Sequence, residues 1–148
     1  MALRPIIGLL VVAPLLTACS DDEPPAPEIR MAEVAGDYVA EGDYGVYSFT
    51  TTADGQTTDW LAEGASVHIT LTADGRTSGR LFVPGGDEDG SDFEADLAGT
   101  WSLIGDIVEF SHEADTFIRD MAFHVEDGRL SGDETFDDAR VRLVLERR

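Results

Sequence analysis

From Gly36 onward apolar residues recur at every second position, and this alternation constrains the fold more than any other feature. Val67, Ile69 and Leu71 alternate with Ser66, His68, Thr70 and Thr72, and Val141, Leu143 and Leu145 alternate with Arg140, Arg142 and Glu146. Successive side chains of a strand point to opposite faces, so each run reads as a strand with one buried and one wet face. Turn residues separate the runs at Ala73-Asp74-Gly75, Gly105-Asp106 and Asp127-Gly128. The chain has no Asn, so Asp-Gly stands where Asn-Gly is usual, with glycine supplying the positive φ.

Each turn implies a register that the apolar pattern tests. A two-residue turn at Asp127-Gly128 sets Val125 opposite Leu130 and Phe123 opposite Gly132. One at Gly105-Asp106 sets Leu103 opposite Val108 and Trp101 opposite Phe110. At Ala73-Asp74-Gly75 a two-residue turn would face Ile69 with Arg80, whereas a three-residue loop with a glycine bulge faces Val67 with Leu81 and Ile69 with Gly79. A one-residue slip exchanges the faces, so the second register is preferred. Three matched hairpins in succession predict an all-β fold, a small antiparallel up-and-down meander. Closure removes the edges of such a meander, giving a barrel of about eight strands.

Gly36-Asp37-Tyr38 and Tyr44 to Thr51 also look like strands, with Gly42-Asp43 between them. Thr58 to Gly64 suggests one short helical turn, with a capping residue, early acids and a terminal glycine. The acidic, Gly-rich stretch from Gly85 to Asp96 reads as an exposed loop. The inward face of the meander carries many large residues, among them Leu81, Val83, Leu97, Trp101, Phe110, Phe117, Met121, Phe123, Leu130 and Leu143. Eight strands enclose just enough room for side chains to fill, so at most a small apolar pocket is expected, near one mouth by Trp101 and His112.

Little of the sequence carries chemistry. His68 and His124 fall on outward faces and only His112 on the inward one, without metal-ligand spacing, so solvated histidines are the better reading and no metal is expected. Asp87-Glu88-Asp89-Gly90-Ser91-Asp92 lacks the spacing and terminal bidentate Glu of a calcium loop. Ser66, Ser78 and Ser102 lie on strand faces with no sharp turn to expose a nucleophile. Neither an enzyme nor a cofactor is expected. One polar feature stands out: reading Phe117 to Val125 as a strand puts Arg119 on the apolar face, with Glu134 its diagonal neighbour on the next strand. Either the two are a buried pair, or Arg119 turns outward at a bulge or sits at the rim.

The formal net charge is −20, and all ten basic residues are Arg. Such a surface repels phosphate backbones and anionic head groups, which argues against nucleic acid and against peripheral electrostatic binding to membranes. With Cys19 the single cysteine, no internal disulfide can form.

The N-terminus resembles a bacterial lipoprotein signal. Arg4 precedes an apolar core from Ile6 to Leu16, and Leu16-Thr17-Ala18-Cys19 resembles the lipobox. That core has signal-peptide length, too short to span a bilayer. The resemblance implies cleavage after residue 18, lipidation of Cys19 and attachment to the membrane through lipid, with residues 19–35 an acidic, Pro-rich tether and 36–148 the barrel domain. By the best-known sorting rule, Ser20 after the cysteine implies the outer membrane of the cell envelope. The barrel region resembles bacterial lipocalin-like lipoproteins, through the Gly-x-Trp signature at Gly99-Thr100-Trp101 and a degenerate Gly36-Asp37-Tyr38. That family implies a barrel holding a small apolar ligand. Two readings of function follow: a filled, non-catalytic barrel whose surface or loops meet an envelope protein, and a carrier of a small apolar molecule. The site candidates are Cys19 for lipidation and Trp101, His112, Arg119 and Glu134 for a ligand.

Overall fold

The computed structural model describes residues 27–42 and 48–148; Cys19, its apolar leader and part of the Tyr44 to Thr51 segment lie outside the described residues. The elements run α1 (Pro27–Val34), β1 (Gly36–Glu41), β2 (Ser48–Ala53), β3 (Gln56–Asp59), β4 (Ser66–Leu71), β5 (Arg76–Val83) and β6 (Phe93–Asp96). They continue with β7 (Gly99–Ile104), β8 (Ile107–His112), α2 (Phe117–Asp120), β9 (Ala122–Glu126), β10 (Arg129–Phe136) and β11 (Ala139–Arg147). Eight strands close an antiparallel up-and-down barrel in the order β1, β4, β5, β7, β8, β9, β10, β11 and back to β1. The β2–β3 hairpin adds to β11, and β6 adds to β5. The closed antiparallel eight-strand barrel is compatible with a lipocalin-like fold.

All three registers argued from the apolar pattern are present. Val125 faces Leu130 and Phe123 faces Gly132. Leu103 faces Val108 and Trp101 faces Phe110. Val67 faces Leu81 and Ile69 faces Gly79. Asp127 and Gly128 both have positive φ, 49° and 77°, the signature of a two-residue hairpin turn whose twist matches that of its strands. The large inward residues form one core. Val67, Leu81, Leu97, Val108, Phe123, Leu130, Leu143 and Leu145 have no accessible surface, and Tyr38, Phe49, Leu61 and Ile118 join them.

Two strands change partner along their length, and this shapes the two ends of the barrel. β5 pairs through Arg76 and Thr77 with β7, then through Arg80 to Val83 with β6. β11 pairs through Arg140 to Val144 with β2, then through Glu146 and Arg147 with β1. The ring is therefore sealed near one end, the base, by two short seams. Toward the other end, the mouth, β2 and β6 replace the ring neighbours.

Helix α1 lies against the base. Val34 is buried, and Arg30, Glu33 and Val34 lie beside Leu103, Gly105 and Val125. The last carbonyls of a helix lack intrahelical partners. Here the Tyr38 hydroxyl donates to the Val34 carbonyl at 2.6 Å, Arg147 Nη1 donates to that of Glu33 at 2.7 Å, and the Ala35 N–H donates to that of Met31 at 2.8 Å. Burial raises the Tyr38 phenol above its ordinary range against the opposing effect of Arg147, which keeps it a neutral donor. Part of the stretch read as tether thus belongs to the folded domain.

Three local expectations are corrected. Phe117 to Asp120 is a helical turn, not the start of a strand, and β9 begins only at Ala122. Phe117, Ile118 and Met121 have helix-like spacing, and the turn buries Ile118 completely while carrying Arg119 to the surface. Within the supposed loop from Gly85 to Asp96, Phe93 to Asp96 forms β6, with Phe93 and Ala95 packed on the core and Glu94 ion-paired to Arg80 outside. β3 extends through Asp59, so the expected helical turn is a turn from Trp60 to Gly64, capped by Asp59, whose Oδ1 accepts from the N–H of Leu61 at 3.1 Å. That turn ends as helices often do: Gly64 N–H donates to the Leu61 carbonyl and Ala65 N–H to that of Trp60.

Candidate functional site

The mouth holds a pocket of about 240 Å³ between the β2–β3 hairpin, the tip of β5 with β6, and α2. Its wall is largely aromatic, with Phe49 from β2, Trp60 from the turn after β3, Phe93 from β6 and Phe117 from α2. Val83 and Val141 lie among them, and Thr51, Thr116 and Asp115 are the polar contributors. The rings hold one another: Phe49 lies 6.3 Å from Trp60 and 5.2 Å from Phe117, centroid to centroid. Trp60 is further fixed by its indole N–H, which donates to Thr51 Oγ1 at 3.0 Å.

The pocket exists because the wall is split. From Arg80 onward β5 pairs with β6 in place of β7, which brings Phe93 beside Val83 in the pocket wall. A larger open groove of about 450 Å³ lies outside the same split along Gly79, Arg80 and β6, but its lining is predominantly polar.

His112 lies at the end of β8, inward and 6% exposed. Its ring is 2.8 Å from Thr116 Oγ1 through Nε2, and Nδ1 is buried without a partner. A neutral ring with its proton on Nε2 leaves a bare acceptor at Nδ1, which costs less than a buried unpaired N–H. Burial, and then the nearby Arg119 guanidinium, hold the imidazole below its ordinary pKa, with Asp120 opposing. His112 therefore sits behind Thr116, adjacent to the pocket but not in its wall.

The other ligand candidates do not converge there. Trp101 points inward and is 4% exposed, but its indole N–H donates to the Thr72 carbonyl at 2.9 Å in the β4–β5 turn, toward the base. Trp101 lines a separate groove of about 160 Å³ with Thr100, Ser102, Glu109, Phe110 and Ser111, and neither Trp101 nor His112 is in the wall of the mouth pocket. Arg119 sits at the rim, donating to Asp115 at 2.6 Å and Asp120 at 3.1 Å, which raises its pKa further. It forms no pair with Glu134. Glu134 does share the face of Leu130 and Gly132, but the β9–β10 pairing ends at Phe123 and Gly132, so Glu134 has no β9 residue across from it and stands exposed, paired only with Val141 of β11. The two charges meet water or local partners in place of each other.

Phe49, Phe93 and Phe117 are not singled out by sequence as site residues, although Phe117 falls on the inward face. Their common feature is position at strand ends and turns, where no alternation marks a face. Among the described residues, no group of three or more His, Cys, Asp or Glu side chains is arranged to hold a metal. In the 84–92 loop the carboxylates serve the loop itself: Asp92 accepts from the Gly85 N–H, Asp89 from Ser91 and Asp87 from Glu88. No helix of the described residues is long and apolar enough to cross a membrane. Compared with known protein families, curated proteins and solved structures, the chain matches none.

Proposed function

We propose that this chain is a lipid-anchored lipoprotein of the bacterial cell envelope, acylated at Cys19 and held at the outer membrane. Its barrel is a non-catalytic scaffold that receives a small apolar ligand, or an apolar group of an envelope partner, at the mouth. The observation that carries the binding half is the contrast between axis and rim. The interior is filled by side chains such as Phe123, Leu130 and Leu143 with no accessible surface, whereas the rim offers about 240 Å³ lined by aromatic rings. Pockets that enclose drug-sized ligands are ~300–1,000 Å³, so a deep carrier of large molecules is disfavoured.

The anchoring half rests on the lipobox-like Leu16-Thr17-Ala18-Cys19. It is compatible with the packing of α1 at the base, the end of the barrel opposite the mouth pocket. The high negative charge supports a role apart from nucleic acid. Cys19→Ser is expected to abolish acylation and move the protein from the detergent phase to the aqueous phase. Retention of the variant in the detergent phase would refute the anchor. For the pocket, an environment-sensitive apolar dye should bind the delipidated protein at one saturable site and lose that site in Phe117→Ala. Absence of saturable binding by the wild type would refute the ligand reading.

A further inference from the structure

We propose that the mouth pocket selects a small organic cation, a quaternary ammonium group with its alkyl substituents, over neutral and anionic molecules of the same shape. This rests on the reading of the pocket as a ligand site and adds the chemistry of what enters it. Three features point to it. The aromatic rings supply π-electron density in a partly desolvated wall, the setting in which aromatic side chains attract ammonium groups.

Polar groups in the wall are already engaged. Thr51 Oγ1 accepts from Trp60 and Thr116 Oγ1 is shared with His112, so each hydroxyl keeps only part of its hydrogen-bonding capacity for a ligand. A quaternary ammonium carries no N–H and needs none. Local charge has the matching sign: Asp115 lines the pocket, no basic side chain among the described residues does, and Arg119, paired to both Asp115 and Asp120, leaves the group of three with a net negative charge. The formal charge of −20 raises the local concentration of cations around the whole molecule. A volume of about 240 Å³ suits a group of head-group size. At ~30 Å³ per water it equals roughly eight water molecules.

The test uses two isosteres, choline and 3,3-dimethylbutan-1-ol, which differ in replacing a cationic nitrogen by a neutral carbon. Each is titrated calorimetrically into the delipidated wild-type protein at low salt. Choline is expected to bind at one site about tenfold more tightly than the alcohol, with the preference shrinking as salt is raised. Trp60→Leu and Asp115→Asn should each reduce the preference severalfold. Arg119→Gln, at a half-buried rim position, should enlarge it by removing the positive charge paired to Asp115. Equal or tighter binding of the alcohol would overturn cation selection while leaving a ligand pocket in place. Binding of neither compound, together with absence of saturable dye binding, would overturn the pocket reading as well. A preference for choline that persists unchanged in Trp60→Leu and Asp115→Asn would place the cation elsewhere and overturn the assignment.

Discussion

Phe123→Ala tests whether the barrel is filled along its axis. Phe123 has no accessible surface, lies directly across from Gly132 and Val108, and meets Phe110 edge to face at 5.4 Å. Its ring also covers Gly132, where a Cβ would come within 2.9 Å of Cε1. Truncation therefore removes the lid over a glycine that has no side chain to move in, and withdraws an aromatic partner from Phe110. Strands held in a hydrogen-bonded ring cannot close around the hole, so little relaxation is available. Burial of an aromatic ring together with an unrelaxed cavity gives a loss of about 3–5 kcal/mol. For a domain of this size that lowers the melting temperature by roughly 10–25 °C. Urea unfolding should show the midpoint falling with an unchanged slope. The variant, but not the wild type, should bind a benzene-sized apolar probe inside the barrel. A loss below about 1 kcal/mol, or equal probe binding by wild type and variant, would mean that Phe123 lines an existing void.

Gly99→Ala should destabilise by about 1–3 kcal/mol, in contrast to the mild gain of an unstrained Gly→Ala change, because the new Cβ would overlap the Ser111 carbonyl and approach His112 Cα to 2.8 Å; a melting curve matching wild type would refute that contact. Stability should also fall with acidity through His112, whose folded pKa is lowered. The unfolded chain then binds more protons below the ordinary histidine range, so the stabilisation is complete above about pH 6.5 and is lost as pH falls toward the folded pKa. Denaturant titrations at successive pH values should show this slope disappearing in His112→Gln, and a slope unaltered by the substitution would remove His112 as its source. Glu134→Ala should change stability by no more than about 0.5 kcal/mol, as for other exposed positions, and a loss of several kcal/mol would restore the buried pair with Arg119.

The parts of the fold legible in the sequence are those where two signals coincide. Asp127-Gly128 is flanked by alternating apolar residues, so turn chemistry and face assignment fix the same register. Asp54-Gly55 is an equally strong turn signal, with φ of 51° and 74°, yet its flanks are Thr50-Thr51-Thr52 and Thr57-Thr58. Threonine serves either face of a strand, so no alternation disclosed β3, and the hairpin that builds one wall of the pocket went unread. Phe93 to Asp96 does alternate, but over four residues within an acidic stretch, too short to outweigh its surroundings. At Phe117 to Asp120 helical and strand spacings are both present. The deciding factor was Arg119, which finds Asp115 and Asp120 within a few residues and so need not enter the barrel. The core was readable because it depends on period; the pocket was not, because it is assembled where period ends.

The partner changes of β5 and β11 divide the molecule into regions of unequal protection against hydrogen exchange. At the base, backbone amides belong to strands paired on both sides around the ring, and α1 covers them. At the mouth, β3 and β6 each pair with a single strand, and the last pair of each ladder can open without breaking the ring. Amides of residues 56–59 and 93–96 should therefore exchange through local fraying, orders of magnitude faster than those of β4 or of residues 129–132 in β10, which require opening of the whole domain. Local opening is thereby expected first beside the aromatic pocket, while the base stays folded.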